Sequence, residues 1–393
     1  MSRRVAIIAA RRTPIGKFMG GFADLAAADL GTSVVRDVLA TAGIQGAQVD
    51  EVILGCARQA GGGPNVARQI AFRAGCPETT PAFTVNKACG SGLKSIVLAA
   101  QAILLGDAEV VVAGGTESMS RVPFMLPKAR AGYRLGHAEM VDGMYADGFL
   151  CPLCREVMGK TAENLADEFH IAREEQDQYA LRSQLRAEAA IKAGWFASEI
   201  APVDVPDAKG KTTQVAQDEH VRFGATIESI RKLPPVFKEG GSVTAANSSG
   251  ITDGAAALVL MSEEKARALG KEPLAFLEGY VSVGVPPRTM GIGPVPAVKK
   301  LNAKLGLAVK DYDLVELNEA FAAQVIACQR ELGFDMERTN AFGSGISLGH
   351  PIGATGARIV VTLLHAMRRT SARRGLATLC ISGGQGMAVS FVR

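Results

Sequence analysis

A helix, a glycine that stops it and an apolar strand occur twice in this chain at one constant separation, which restricts the fold to a duplicated α/β unit. Residues 30–42 place apolar side chains at helical spacing and stop at Gly43, and residues 49–54 form a strand ending at Gly55. Residues 296–305 stop at Gly306, and residues 312–317 form a strand ending at Asn318. Gly43 and Gly306, Asp50 and Asp313, and Leu54 and Leu317 are each 263 positions apart. A second set follows the first in both halves. The loop around Cys89, a helix over 93–105 and a strand over 110–113 ending in Gly114 and Gly115 are answered by the loop around His350, a helix over 357–368 and a strand over 377–382 ending in Gly383 and Gly384. Cys89 and His350 are 261 positions apart and so occupy nearly equivalent places. Helices alternating with short apolar strands, the first at 5–10, predict mainly parallel sheets covered by helices. Duplication then brings the ends of both sheets, with Cys89 and His350, to one side.

Residues 121–249 break the repeat with Gly, Pro and Met turns, a helix pair over 161–169 and 173–193, and short polar segments. An insertion of this length in a compact chain usually serves function. A strand over 243–246, the turn Asn247-Ser-Ser-Gly250 and a strand over 255–261 resume the first unit. The expected division is a first half over 1–120, an insertion over 121–249, completion of the first half over 250–272 and a second half over 273–393.

Composition removes several classes of function. Hydrophobic content of 48% with 21% charged residues describes an ordinary globular chain, and a net charge of +4 gives no ground for nucleic-acid binding. After Glu337 no acidic residue follows, while Arg338, Arg358, Arg368, Arg369, Arg373, Arg374 and Arg393 remain; these read as a solvated basic face. No apolar run approaches the roughly 20 residues that span a bilayer, so no membrane partner is expected. Met1-Ser-Arg-Arg and the apolar residues 5–10 are too short for a signal peptide, and a cytoplasmic location is expected. Seven cysteines, an odd number thinly spread, fit free thiols rather than a disulfide framework.

Four candidates stand beside glycine-rich turns. Cys89, in Asn86-Lys-Ala-Cys89-Gly-Ser-Gly92, precedes a helix start, and the N–H groups there are expected to lower the thiol pKa. His350 is held between Gly349 and Pro351. Asn318 and Cys380 lie at or near strand ends, where α/β folds meet their ligands. Singly, Cys89 also reads as a buried structural thiol, His350 as a packed ring and Cys380 as a small strand residue. Together Cys89 and His350 supply the nucleophile and base of covalent acyl transfer, and Cys380 a second thiol that can move a proton.

Rival motifs are incomplete. Gly345-Ile-Ser347-Leu-Gly349 has the form of a hydrolase nucleophile elbow, but no acid follows Ser347. Gly159-Lys-Thr161 and Gly210-Lys-Thr212 lack the earlier glycine of a phosphate loop, and no G-x-G-x-x-G follows a strand. Cys151-Pro-Leu-Cys154 is a redox pair or half a zinc site without its second half. It sustains a different reading, a metal-binding or redox protein.

Four blocks in order, Asn86-Lys-Ala-Cys89-Gly-Ser-Gly92, Asn318-Glu-Ala-Phe321, Gly349-His350-Pro-Ile-Gly-Ala-Thr-Gly356 and Cys380-Ile-Ser-Gly-Gly-Gln-Gly386, resemble the thiolase family over essentially the whole chain. The resemblance implies a five-layered αβαβα core of two similar halves and an inserted loop domain that binds coenzyme A. It implies acyl transfer between coenzyme A and acetyl-CoA through a Cys89 thioester, by thiolysis of short 3-ketoacyl-CoAs or by condensation of two acetyl-CoA to acetoacetyl-CoA. In that scheme His350 activates Cys89, Cys380 moves the second proton, Asn318 positions an oxyanion-hole water, and the N–H groups of Cys89 and Ser382 form the other hole. Arg222, Ser229 and Ser249 match positions that contact coenzyme A in relatives, and Met158, Met290 and Phe321 match pocket walls. Ser382 replaces the usual glycine, and the run Asn340-Ala-Phe-Gly-Ser-Gly345 departs from the commoner pattern before His350. Val157 stands where acetoacetyl-specific members carry histidine. That departure leaves room for longer-chain or 3-oxoadipyl-CoA substrates. The family also contains condensing relatives that do not perform thiolysis. No metal and no cofactor is implied, with coenzyme A as substrate, and a homo-oligomer, tetramer or dimer, is implied.

Overall fold

The structure is a computed structural model that describes residues 3–206 and 209–393. Met1 and Ser2, part of the segment read as lacking a leader, lie outside the described residues. In chain order the first half contains β1 (Val5–Arg12), β2 (Gly16–Lys17), α1 (Ala27–Ala42), β3 (Glu51–Gly55), α2 (Val66–Arg73), β4 (Ala82–Val85), α3 (Ser91–Leu105) and β5 (Val110–Ser118). Then come the hairpin β6 (Phe124–Met125) and β7 (Val141–Asp142), α4 (Met158–Glu168), α5 (Arg173–Lys192), the hairpin β8 (Val203–Pro206) and β9 (Thr212–Val215), and α6 (Ile227–Arg231). β10 (Thr252–Ser262) and α7 (Glu263–Ala268) precede the second half: β11 (Ala275–Gly284), α8 (Pro294–Leu305), β12 (Leu314–Leu317), α9 (Ala322–Leu332), α10 (Ile352–Thr370), β13 (Arg374–Ile381) and β14 (Gln385–Val392).

The repeat is structural. Gly43 and Gly306 both take the left-handed conformation that ends a helix, with φ of 61° and 68°, which a side chain would strain. Asp50 accepts from the N–H groups of Glu109 and Val110 at 2.8 and 2.9 Å, and Asp313 from those of Arg373 and Arg374 at the same distances. Each aspartate thus ties the loop before one strand to the start of its neighbour.

The strands run β12-β13-β14-β11-β1-β10-β5-β3-β4, with β2 beside β10. Among the strands of the described residues, only β12/β13, β3/β4 and β3/β5 pair in parallel. The expectation of mainly parallel sheets is therefore corrected, and the cause is connection length. Helices carry the chain between parallel neighbours, whereas the turn over 382–384 is too short for anything but an antiparallel hairpin of β13 and β14. β1 pairs with β10 and, over Val5–Ile7, with β11, which joins the two halves.

Three apolar layers of helix separate and cover the sheet halves. α1 and α2 pack Val34, Val38 and Ile70 against Leu54, Val112 and Val259. α8 and α9 pack Val298, Leu301 and Val325 against Leu317 and Leu376. Between the halves, α3 and α10 bury Ile96, Ile103, Ile359 and Leu363 against Val111, Leu258, Leu379 and Val389. The result is the five-layered αβαβα order. The segment Ala88–Leu105 is apolar and long enough to cross a membrane by composition, with a mean hydropathy of 1.6, but its apolar faces are taken up by this central layer. α3 and α10 touch backbone to backbone: a Cβ on Gly92 would stand 2.8 Å from Ala357 N, and one on Gly356 2.3 Å from Leu93 N.

Three local expectations change. Residues 243–246 form no strand; Glu163 instead accepts from the N–H groups of Ser242 and Val243 at 2.8–3.0 Å. α10 begins at Ile352, directly after Pro351, rather than at residue 357. Arg358 is not part of a solvated face, since it is buried and faces Glu316 at 3.6 Å and Ser344 Oγ at 3.0 Å.

Candidate active site

A cavity of about 540 Å³ opens where β3, β5, β12 and β13 end, roofed by residues of 145–159 and 220–249. Cys89, His350, Cys380 and Ser382 line it, with Met158, Met290, Phe321, Arg222 and Ser249. Cys89 and His350 each stand two residues before the first residue of a central helix, α3 and α10, so the duplication itself brings them together.

The turn that presents Cys89 is strained. Ala88 takes φ of 46°, a conformation an alanine adopts only when its surroundings impose it. Asn86 Oδ1 accepts from Ala88 N at 3.0 Å, Ser91 Oγ accepts from Lys87 N at 2.8 Å, and the same hydroxyl donates to Ala88 O at 2.6 Å. Burial pushes the Cys89 thiol pKa up, and the N–H groups of Ser382 and of Cys89 itself, with the charge of Arg58, only partly oppose it. The expected depression by the helix start is thus corrected: desolvation outweighs it, and Cys89 rests as a thiol.

His350 Nδ1 lies 2.6 Å from Thr355 Oγ1. Burial, and the charges of Arg358 and Arg58, bring its pKa down to about 3, so the ring is neutral. Burial, and the neighbouring Cys89 and Cys328, hold the Cys380 thiol well above the ordinary range. The site therefore contains a protonated thiol at Cys89, a neutral imidazole at His350 and a second protonated thiol at Cys380, with two N–H groups converging on the Cys89 sulfur. Beneath it, buried Glu117 accepts from the N–H groups of Ala57, Arg58 and Gly353 at 3.1, 3.0 and 2.8 Å, tying the turn after β3 to the first turn of α10.

Residues 5–264 match the thiolase N-terminal domain and residues 271–393 the thiolase C-terminal domain. The chain belongs to the thiolase family. Family members transfer acyl groups, and this thiolase is an acyltransferase of that type. It is 52% identical over 389 residues to an acetyl-CoA acetyltransferase of Pseudomonas aeruginosa, covering 99% of each chain. Its fold is similar to that of the Bacillus anthracis acetyl-CoA acetyltransferase, with a TM-score of 0.98, 44% identity and coverage of 100% of this chain and 99% of the other. It is also similar to human mitochondrial 3-ketoacyl-CoA thiolase in complex with CoA, with a TM-score of 0.95, 42% identity and coverage of 99% and 98%.

Two residues singled out in the sequence lie away from the wall of this thiolase cavity. Asn318 is fully buried behind it, and neither amide atom finds a hydrogen-bond partner among the described residues. Ser229 is exposed, and its hydroxyl closes a capping box with Thr226 at the start of α6. Ser347, of the elbow-like motif, is buried and receives a hydrogen bond from Ser183 Oγ at 2.8 Å.

Cys151 and Cys154 are free thiols outside the cavity wall, in a turn where Arg155 N donates to Cys151 O at 2.8 Å. Burial raises the Cys151 thiol, but the N–H groups of Cys154, Leu153 and Gly383 and the Cys154 thiol outweigh it and hold it below the ordinary value. Among the described residues no group of three or more His, Cys, Asp or Glu is placed to hold a metal.

The cavity also takes in Arg58, Met119, Phe149, His220, Phe237 and Ile352, none of which the sequence reading selected. Arg58 had a signal, since it follows the end of a parallel strand. His220 is brought in by the insertion, and burial lowers its pKa to about 4.

Proposed function

We propose that this thiolase transfers an acyl group between coenzyme A and acetyl-CoA through a thioester on Cys89. In the thiolysis direction His350 Nε2 takes the Cys89 proton as the sulfur attacks C3 of a 3-ketoacyl-CoA. The C2–C3 bond breaks, the acetyl-CoA carbanion takes the Cys380 proton, and the acyl group remains on Cys89. Entering coenzyme A then gives its thiol proton to the Cys380 thiolate and attacks the thioester, and Cys89 leaves with the proton held on His350. The reverse sequence condenses two acetyl-CoA. Proton positions support the scheme: a neutral imidazole is a competent base, and a thiol with a raised pKa is a donor to a carbanion.

The observation that carries the reading is the meeting of Cys89, His350 and Cys380 in one cavity wall. The N–H groups of Cys89 and Ser382 suit an oxyanion at the acyl carbon, where each such donor is worth about 3 kcal/mol of barrier. Asn318, a buried amide without a protein partner, suits a water that serves the other oxyanion. Arg222 and Ser249 in the wall, with Ser229 at the surface beyond, suit the polar parts of coenzyme A, and Met158, Met290 and Phe321 its apolar arm. The balanced proton carriers need neither metal nor cofactor; coenzyme A enters as substrate.

A homo-oligomer, tetramer or dimer, accords with exposed Phe124, Leu126, Leu135 and Met140 around the β6/β7 hairpin. Seven free thiols accord with a cytoplasmic location. The test is Cys89→Ala, expected to abolish both acetoacetyl-CoA thiolysis and trapping of a labelled acyl group; turnover retained in that variant refutes the proposal.

A further inference from the structure

Arg58 is a buried cation whose side chain makes no hydrogen bond among the described residues. Its residue is 8% exposed, it lines the reaction cavity, and its buried Nε has no acceptor. Among the described residues no carboxylate lies within ion-pair distance of its guanidinium. Glu117, whose carboxylate accepts from the Arg58 backbone N–H, also accepts from those of Ala57 and Gly353. A buried guanidinium left in this state is costly unless a ligand supplies the acceptor.

The surroundings define the ligand. Met119, Met144 and Ile352 form an apolar cluster with Ala57, the residue before Arg58, and Phe149 and Cys89 pack against it. An acyl chain on Cys89 would therefore run along an apolar wall beside an unpaired cation. Arg58 lines the same cavity of about 540 Å³ as Cys89 and His350, so a chain that joins the sulfur to the guanidinium stays within that cavity and is short. Gly148 faces the guanidinium so closely that a Cβ there would collide with it, 2.5 Å from Nε.

We infer that Arg58 is the receptor for a carboxylate at the far end of the acyl chain, so that the preferred substrates are short 3-ketoacyl-CoAs whose acyl group is dicarboxylic. The inference rests on the thiolase reading of Cys89. It adds the class of acyl group that Cys89 receives.

The test compares thiolysis of 3-oxoadipyl-CoA and 3-oxohexanoyl-CoA, which have equal carbon number and differ in a terminal carboxylate against a methyl group. The quantity read is the ratio of their kcat/KM values, in the full-length protein and in Arg58→Met, Arg58→Lys and Gly148→Ala. The wild-type protein is expected to favour the dicarboxylic substrate. Arg58→Met should lower the ratio about 10- to 100-fold, the range for one charge-assisted contact. Arg58→Lys keeps the charge without the fork and should fall between. Gly148→Ala, which displaces the guanidinium, should shift the ratio the same way. A wild-type preference for the methyl-ended substrate overturns the inference. So does an equal loss on both substrates in Arg58→Met, which would assign Arg58 to the shared coenzyme A phosphates or to the thiolate. Cleavage of neither substrate, nor of acetoacetyl-CoA, removes the thiolase reading and the inference with it.

Discussion

Thr355 Oγ1 lies 2.6 Å from His350 Nδ1 and donates its own proton to Pro351 O at 2.8 Å. With that proton committed, the hydroxyl accepts from Nδ1–H, and Nε2 is left as the bare nitrogen facing the cavity. Thr355 thus selects the tautomer in which His350 can act as a base.

Thr355→Val keeps the volume and removes the acceptor. Leaving a buried N–H unpaired costs about 1–3 kcal/mol, read by urea unfolding. A misdirected base should lower kcat for thiolysis by about tenfold or more. Thr355→Ser, which restores the acceptor, should recover most of the rate; loss of rate in the serine variant equal to that in valine would reject the assignment.

The rate should lack the acid limb of an ordinary histidine. His350 is held down to about 3, so the base is already unprotonated near pH 5, and kcat/KM should show no rise centred on ~6.5. Stability carries the opposite message. An unfolded histidine binds a proton near ~6.5, while folded His350 does so only near 3 and His220 near 4, so both favour unfolding increasingly as pH falls through those windows. Glu316, raised by burial to about 8, has the other sign, stabilising at acid pH and losing that contribution as pH rises toward 8. The difference between wild type and His220→Gln isolates one group: the wild-type protein should lose stability relative to the variant between pH 7 and 4, measured by urea midpoints.

The duplication and the placing of Cys89 and His350 in one cavity were legible in the sequence because their signals are local. A left-handed helix stop needs glycine, hence Gly43 and Gly306, and a residue fixed two places before a helix start recurs wherever the helix recurs. Strand direction was not legible, since an apolar run of five residues does not state how its neighbour points. The pKa of Cys89 was misread for a related reason. A helix start is local, but the burial that overrides it depends on residues far apart in the chain: Cys89 packs against the cluster of Ala57, Met119, Met144 and Ile352. Glu117 and Gly353 meet across 236 positions, and Arg358 is buried by Glu316 and Ser344, contacts no spacing rule supplies.

Gly92→Ala should separate the two central helices. The added methyl would meet Ala357 N at 2.8 Å and Gly353 O at 3.0 Å, backbone atoms that cannot rotate away. Overpacking of this type costs about 1–3 kcal/mol. Because Cys89 and His350 lie just before these helices, the same shift lengthens their separation, and kcat should fall along with the urea midpoint. A substitution that lowered the midpoint alone would show that the pair is positioned by something other than the helix contact.

Asn318→Leu should move stability and rate in opposite directions. The buried amide makes no side-chain hydrogen bond among the described residues, so replacing it by an apolar group of similar size removes a desolvated donor and acceptor; the expected urea midpoint is unchanged or higher. Its backbone N–H donates to Thr378 O at 3.0 Å, a contact the substitution keeps, so β12 remains in place. If the amide holds the water that serves an oxyanion, kcat for thiolysis should drop about tenfold or more with the fold intact. A loss of stability with kcat preserved would instead make Asn318 a packing residue, and the two measurements on one variant separate these outcomes.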